Sequence, residues 1–159
     1  MRKLRIEIRF AFIYSFVLIL WMWLEKLIGL HDRFIDKQLL YTNLFAIPGF
    51  VIFFLAIRQK REDYFGGRML WTQGFVSGTF LAAFIAVLSP LYNAIIYGVI
   101  SPDYFSTMIR YVTTNNLPAK QNADLFFSLK SYILQSSLSG ISFGIMASAI
   151  AALILRREK

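Results

Sequence analysis

The chain has 159 residues, one histidine, no cysteine and a formal net charge of +8. It is 57% hydrophobic and 17% aromatic, and only 16% of its residues are charged, a balance too apolar for a soluble domain of this length. The missing cysteines exclude a disulfide framework, a thiol nucleophile and thiolate metal sites, and one histidine leaves little for acid–base or metal chemistry. The basic excess would suggest nucleic acid in a soluble protein, but here the Lys and Arg residues abut long apolar runs. A membrane explains that placement better, and no nucleic-acid partner is expected.

The opening, MRKLRIEIR, resembles the basic start of a signal peptide, but the apolar run after it ends in WMWLEK without a small-residue cleavage signal. It reads as an uncleaved first span, about 10–28, with Arg9 and Lys26 snorkelling at its ends and Trp21 and Trp23 at headgroup level. The second span is predicted over 39–57, long enough to cross the hydrocarbon, with a kink expected at Pro48-Gly49. The third apolar segment, 70–100, exceeds one crossing. A change of direction is expected at Pro90, leaving 91–100 at the interface.

Ser101-Pro102-Asp103 then reads as a helix start, with serine as N-cap and proline in the first helical position. Tyr104, Phe105, Met108, Ile109 and Val112 recur at helical spacing and predict an amphipathic helix at the membrane surface, its apolar face buried in the interface or against the bundle. After NNLPAKQN a new helix is expected from residue 123, running into the fourth span, 132–155. The expected architecture is all-α: one membrane domain over 1–159, four transmembrane helices, and an external segment 101–131 between the third and fourth.

Orientation follows from the basic residues. Segments 1–9, 58–68 and 156–159 carry 11 Lys and Arg in 24 residues, against 6 in 45 for 25–38 and 101–131. The bias places both termini and the middle loop in the cytoplasm.

The stretch YFGGRMLWTQGFVSGTFLAAFIAVLSPLYNAIIYGVISPDYF resembles a bacterial membrane-protein family designated domain of unknown function 4199, whose members come largely from Bacteroidota. The matching positions are Gly66, Gly67, Gly74, Gly78, Pro102, Asp103, Gly140 and Gly144, and the likeness extends over essentially the whole chain. It implies residence in the cytoplasmic membrane of a Gram-negative envelope and brings no activity, substrate or catalytic residue.

Two stripes of small residues stand out. Gly74, Gly78, Ala82 and Ala86 recur every four residues in span three, as do Ser136, Gly140, Gly144, Ser148 and Ala152 in span four. Such stripes let helix backbones approach closely, and Gly78 or Ala82 is expected against Gly144 or Ser148. Among intramembrane polar residues (Tyr14, Ser15, Asn43, Ser89, Asn93 and Gln135), Asn93 and Gln135 are expected to hydrogen-bond across helices. Glu25, beside Lys26 and the two tryptophans, reads as an ordinary interfacial residue, and His31, Asp32 and Asp36 as a solvated loop rather than metal ligands. The basic loop of Arg58, Lys60, Arg61 and Arg68 is explained by topology and can touch anionic headgroups.

No phosphate-cradling loop, hydrolase elbow or zinc motif is present in the sequence, and no cofactor, metal or catalytic residue is expected. The expected role is a non-catalytic interaction or accessory protein whose partners are the bilayer and another membrane protein or a second copy. A small oligomeric transporter or channel is the alternative. Single cysteines near Gln59 and Lys159 should be labelled from the cytoplasm, and those near Arg33 and Asn116 from outside. Labelling of 58–68 from outside overturns the topology.

Overall fold

A computed structural model describes residues 4–157; Arg2, Lys3 and Lys159, which enter the topology reading, lie outside them. The chain forms α1 (Arg5–Ile28), α2 (Gln38–Asn43), α3 (Ala46–Asp63), α4 (Trp71–Ile95), α5 (Tyr104–Thr114), α6 (Ala123–Phe126) and α7 (Leu129–Leu155). A π-helical turn, Ile96–Ile100, follows α4, and a 3-10 turn, Pro118–Asn122, precedes α6. Among the described residues there is no β-strand, only an antiparallel bridge between Met69 and Arg157. Four helical stretches are long and apolar enough to cross a membrane: Arg5–Ile28, Ile35–Asp63, Trp71–Ile100 and Leu129–Leu155.

Glycine and proline punctuate these helices, though not always where the sequence suggested. Gly29 ends α1 with φ +86°, a left-handed conformation costly for other residues, and the Leu30 N–H donates back to the Glu25 carbonyl at 2.9 Å. Gly66 and Gly67, at φ +64° and +86°, turn the chain between α3 and α4. Pro48 has no N–H for the Leu44 carbonyl, so the second span is interrupted at Leu44 and Phe45, before the proline. Pro48 itself falls in the first turn of α3, where no N–H is required. Pro90 causes no break: α4 runs through it to Ile95, and regular α geometry ends only at the π-helical turn. Residues 91–100 thus continue the helical segment through Pro90.

Contacts sort the residues into two compact units. One draws on Met1–Ser15, Ala46–Leu88 and Ser137–Lys159, the other on Phe16–Phe45 and Ser89–Ser136.

In the first unit the small-residue positions of α4 and α7 meet directly. A Cβ placed on Gly78 would collide with the Ser148 side chain, and one on Gly144 with Ala82 Cβ and, at 2.9 Å, Phe53 Cζ. A Cβ on Gly74 would lie 2.8 Å from Met69 Cε and 3.0 Å from Ala152 Cβ. The contact does not run the length of the stripe, because a Cβ at Gly140 would meet nothing within 4 Å. Phe53, fully buried, packs edge-on against both Tyr14 and Phe143, with ring centroids 6.1 Å apart in each pair. Ile57, Met69, Ala151 and Leu155 form a buried cluster flanked by Phe50, Phe54 and Phe65.

The charged end of α3 departs from the loop expected there. Lys60 and Arg61 lie within the helix and are buried. Arg61 Nη1 donates to the Leu155 carbonyl at 3.1 Å, satisfying an acceptor at the C-terminal end of α7, where a cation is also favoured by the helix dipole. Lys60 meets Glu7 of α1 at 2.8 Å, and α1 accordingly extends outward to Arg5. These two residues face protein rather than headgroups because each has a partner that offsets its desolvation.

Leucine at Gly78 or Gly144 should therefore destabilise the protein in detergent by about 1–3 kcal/mol, the cost of overpacking a tight contact. Gly140→Leu and Ile150→Leu should be nearly neutral. Equal losses at all four positions would mean that the α4–α7 contact contributes nothing.

Candidate functional site

The second unit is built around a carboxylate. Glu25, near the end of α1, is 2% exposed. Its Oε1 accepts Trp21 Nε1–H at 2.6 Å, one turn earlier on the same helix. Thr42 of α2 lies across from it, with its hydroxyl 3.0 Å from Oε1 and 2.8 Å from Oε2. Gln38, one turn before Thr42, donates to that hydroxyl at 3.0 Å and accepts from the Tyr104 phenol at 3.1 Å. Tyr132 OH stands 3.2 Å from Tyr104 OH. Tyr104 has one proton to give and gives it to Gln38, so Tyr132 is the donor in that pair. Burial, reinforced by Tyr132 and Tyr97 beside it, pushes the Tyr104 phenol above its ordinary range and keeps it a donor.

His31 completes the cluster and is 0% exposed, not solvated. Its Nδ1 lies 2.6 Å from Ser101 Oγ and its Nε2 3.5 Å from Glu25 Oε2, while its ring meets Tyr104 edge-on with centroids 5.3 Å apart. A carboxylate nearest Nε2 favours the proton on that nitrogen, which leaves Nδ1 to accept the Ser101 hydroxyl. Ser101 therefore does not cap α5; Asp103 occupies the N-cap position, and its side chain makes no capping bond. The helix begins at Tyr104, so Pro102 precedes it. Ser101 before Pro-Asp has the local pattern of a cap, but its hydroxyl's partner, His31, lies 70 positions away in the chain.

Serine, histidine and glutamate in that spatial order invite comparison with a nucleophile, base and orienting acid, although His31 Nε2, 3.5 Å from Glu25, makes no hydrogen bond. Such a set needs space for a substrate beside the nucleophile. Here Ser101 is 0% exposed. What the arrangement does is join four stretches of chain: the end of α1, the turns after it, α2, and the start of the segment between the third and fourth spans.

That segment is folded onto its own chain. The expected face of α5 is there, with Tyr104 and Val112 buried and Phe105, Met108 and Ile109 partly so. Ala123 and Phe127, with Leu117 and Tyr132 beside them, cover it. Of the two expected placements for this face, cover by protein is the one seen, since 117–132 supplies apolar side chains of its own.

The other expected residues are placed apart. Asn93 Nδ2 donates to Ser136 Oγ and to the Ser89 carbonyl, each at 2.8 Å, while Gln135 donates to Ser131 at 3.1 Å. The expected Asn93–Gln135 bond is not formed, because each amide has a nearer hydroxyl. Asn43 is exposed, and Ser15 bonds the Ala11 carbonyl of its own helix. Asp32 pairs with Lys26 at an exposed position, Asp36 is exposed, and no His/Asp/Glu group among the described residues could hold a metal ion.

The family model described as "Protein of unknown function (DUF4199)" matches residues 9–157, and the chain belongs to that family. No curated protein and no solved structure matches it.

Removing the Ser101 hydroxyl should leave the buried His31 Nδ1 unsatisfied, and Ser101→Ala should cost about 1–3 kcal/mol. A double-mutant cycle with His31→Phe should return a coupling of about 0.5–3 kcal/mol, and strict additivity would remove the bond from the account.

Proposed function

We propose that this DUF4199 protein is a non-catalytic integral protein of the bacterial cytoplasmic membrane, with both termini in the cytoplasm, that works by associating with another membrane protein or a second copy. The observation that carries the reading is the closure of the Glu25–His31–Ser101 cluster. Among the described residues this serine–histidine–acid set is at most 2% exposed, and its members come from separate stretches of chain. The orientation rests on the concentration of Lys and Arg in 1–9, 58–68 and 156–159.

The surface offered to a partner is the far side of the 101–131 segment. Lys120, Gln121, Asn122 and Asp124 are exposed there, next to Leu125 (76% exposed) and Phe126 (51%). An apolar pair rimmed by polar residues fits protein association better than a purely lipid-facing stripe does. The transporter alternative has less support: Asn93 and Gln135 bond different serines, and Asn43 is exposed.

A photo-crosslinking residue at Leu125 should give discrete protein adducts in cells, whereas one at Leu153, an exposed position on α7, should give lipid adducts alone. Lipid adducts alone at both positions would contradict association through this segment.

A further inference from the structure

The bridge between Met69 and Arg157 gathers charge at one end of the first unit. The Met69 N–H donates to the Arg157 carbonyl at 3.0 Å, and the Arg157 N–H donates to the Met69 carbonyl at 2.9 Å. Met69 is buried in the cluster of Ile57, Ala151 and Leu155, which anchors the paired segments to the helices. Arg68 precedes Met69 and Arg156 precedes Arg157, so arginines from two distant stretches of chain flank one bridge. All three are exposed. Among the described residues no carboxylate pairs with them: Glu62 is taken by Arg61, and Asp63 holds the Gln59 amide. Glu158 and Lys159, outside the described residues, cancel in formal charge.

Topology accounts for cations on one side of a membrane, but it does not require that they be drawn together. Like charges held close repel one another, and an anion placed between them offsets that cost. The surroundings indicate which anion. Leu153 and Ile154, at the end of α7, are exposed, as is Leu70 beside Met69. Exposed apolar side chains at the end of a span face hydrocarbon, and the arginines begin immediately beyond them. The anion that fits must therefore stand where hydrocarbon ends and continue into apolar chains.

We propose that Arg68, Arg156 and Arg157 bind the head of an anionic phospholipid whose acyl chains run along Leu70, Leu153 and Ile154. A guanidinium suits a phosphate because its planar fork donates two parallel N–H bonds to two oxygens. A zwitterionic head carries the same phosphate but brings its own cation, which the arginines repel. The site is not the basic stretch of 58–68 as a whole. Lys60 and Arg61 are buried with partners, and Arg58 lines a groove with Phe10 and Leu55 instead.

The test is native mass spectrometry of the full chain in mild detergent, titrated with phosphatidylglycerol and phosphatidylcholine of identical acyl chains. A basic residue beside an anionic headgroup is worth about five-fold in affinity, so the glycerol lipid should bind at least about ten-fold tighter. Arg68→Gln and Arg157→Gln should each lower that preference by about three- to five-fold, and the triple variant that adds Arg156→Gln should leave less than about two-fold. These guanidinium groups are exposed, so the variants should melt at the wild-type temperature. Arg58→Gln, in the same basic stretch but outside the site, should keep the preference within about two-fold of wild type. Equal affinity for the two lipids overturns the proposal, as does a preference that survives the triple variant or falls as far in Arg58→Gln. A triple variant that melts lower also overturns it, because the arginines would then serve the fold. Displacement of the lipid by an equal concentration of glycerophosphoglycerol, the same head without chains, overturns it as well, since a soluble phosphate would then be the ligand.

Discussion

Hydrocarbon offers no hydrogen-bond partner, so a polar group that a membrane protein buries must be satisfied by the protein itself. Much of what is irregular in this chain follows from one such group. Glu25 collects Trp21 from its own helix, Thr42 from α2, and His31 from the turns between them. Meeting those demands keeps 29–37 a compact series of turns instead of an extended loop. It also orients α2 so that Thr42 faces the carboxylate and Gln38, one turn before, backs Thr42, and Ser101 and Tyr104 extend the set to the start of α5. Glu25, Thr42, Gln38, Tyr104 and Tyr132 form a chain of donors and acceptors, and His31 and Ser101 a hydrogen-bonded pair beside it.

The first unit is held by a different force. Apolar helices in lipid gain little from mere burial, so close backbone approach has to supply the attraction. Gly78 beside Ser148 and Gly144 beside Ala82 provide it, and the Phe53 ring fills the space that Gly144 leaves open. The buried cations described in this unit are partnered: Lys60 with Glu7, and Arg61 with Glu62 and the Leu155 carbonyl. Removing either partner would leave a buried charge uncompensated, which is far costlier than never having buried the pair.

The spans were legible because an apolar run of sufficient length in lipid is a statement about composition, which a sequence displays directly. The α4–α7 contact was legible for a similar reason: a four-residue repeat of small side chains marks one face of a helix. The buried cluster was not. Glu25 and His31 are each unremarkable beside their neighbours in sequence, and their shared partners arrive from Thr42 and Ser101 after folding. Charge misled in the same way at Lys60 and Arg61, which resemble loop residues until Glu7 and the end of α7 are brought to them. Glu7 itself was hidden inside a basic stretch. Proline misled through position, since Pro48 acts on the turn before it, while α4 tolerates Pro90.

The central claim is that Glu25, His31 and Ser101 anchor the start of the 101–131 segment. Amide hydrogen exchange across α5 measures that anchoring residue by residue. In His31→Ala, which loses both the Ser101 bond and the ring contact with Tyr104, exchange over Tyr104–Thr114 should accelerate by at least about ten-fold, while Gly144–Leu155 of α7 keeps its protection. Unchanged protection in α5 would contradict the account, because the segment would then be held by its apolar face alone.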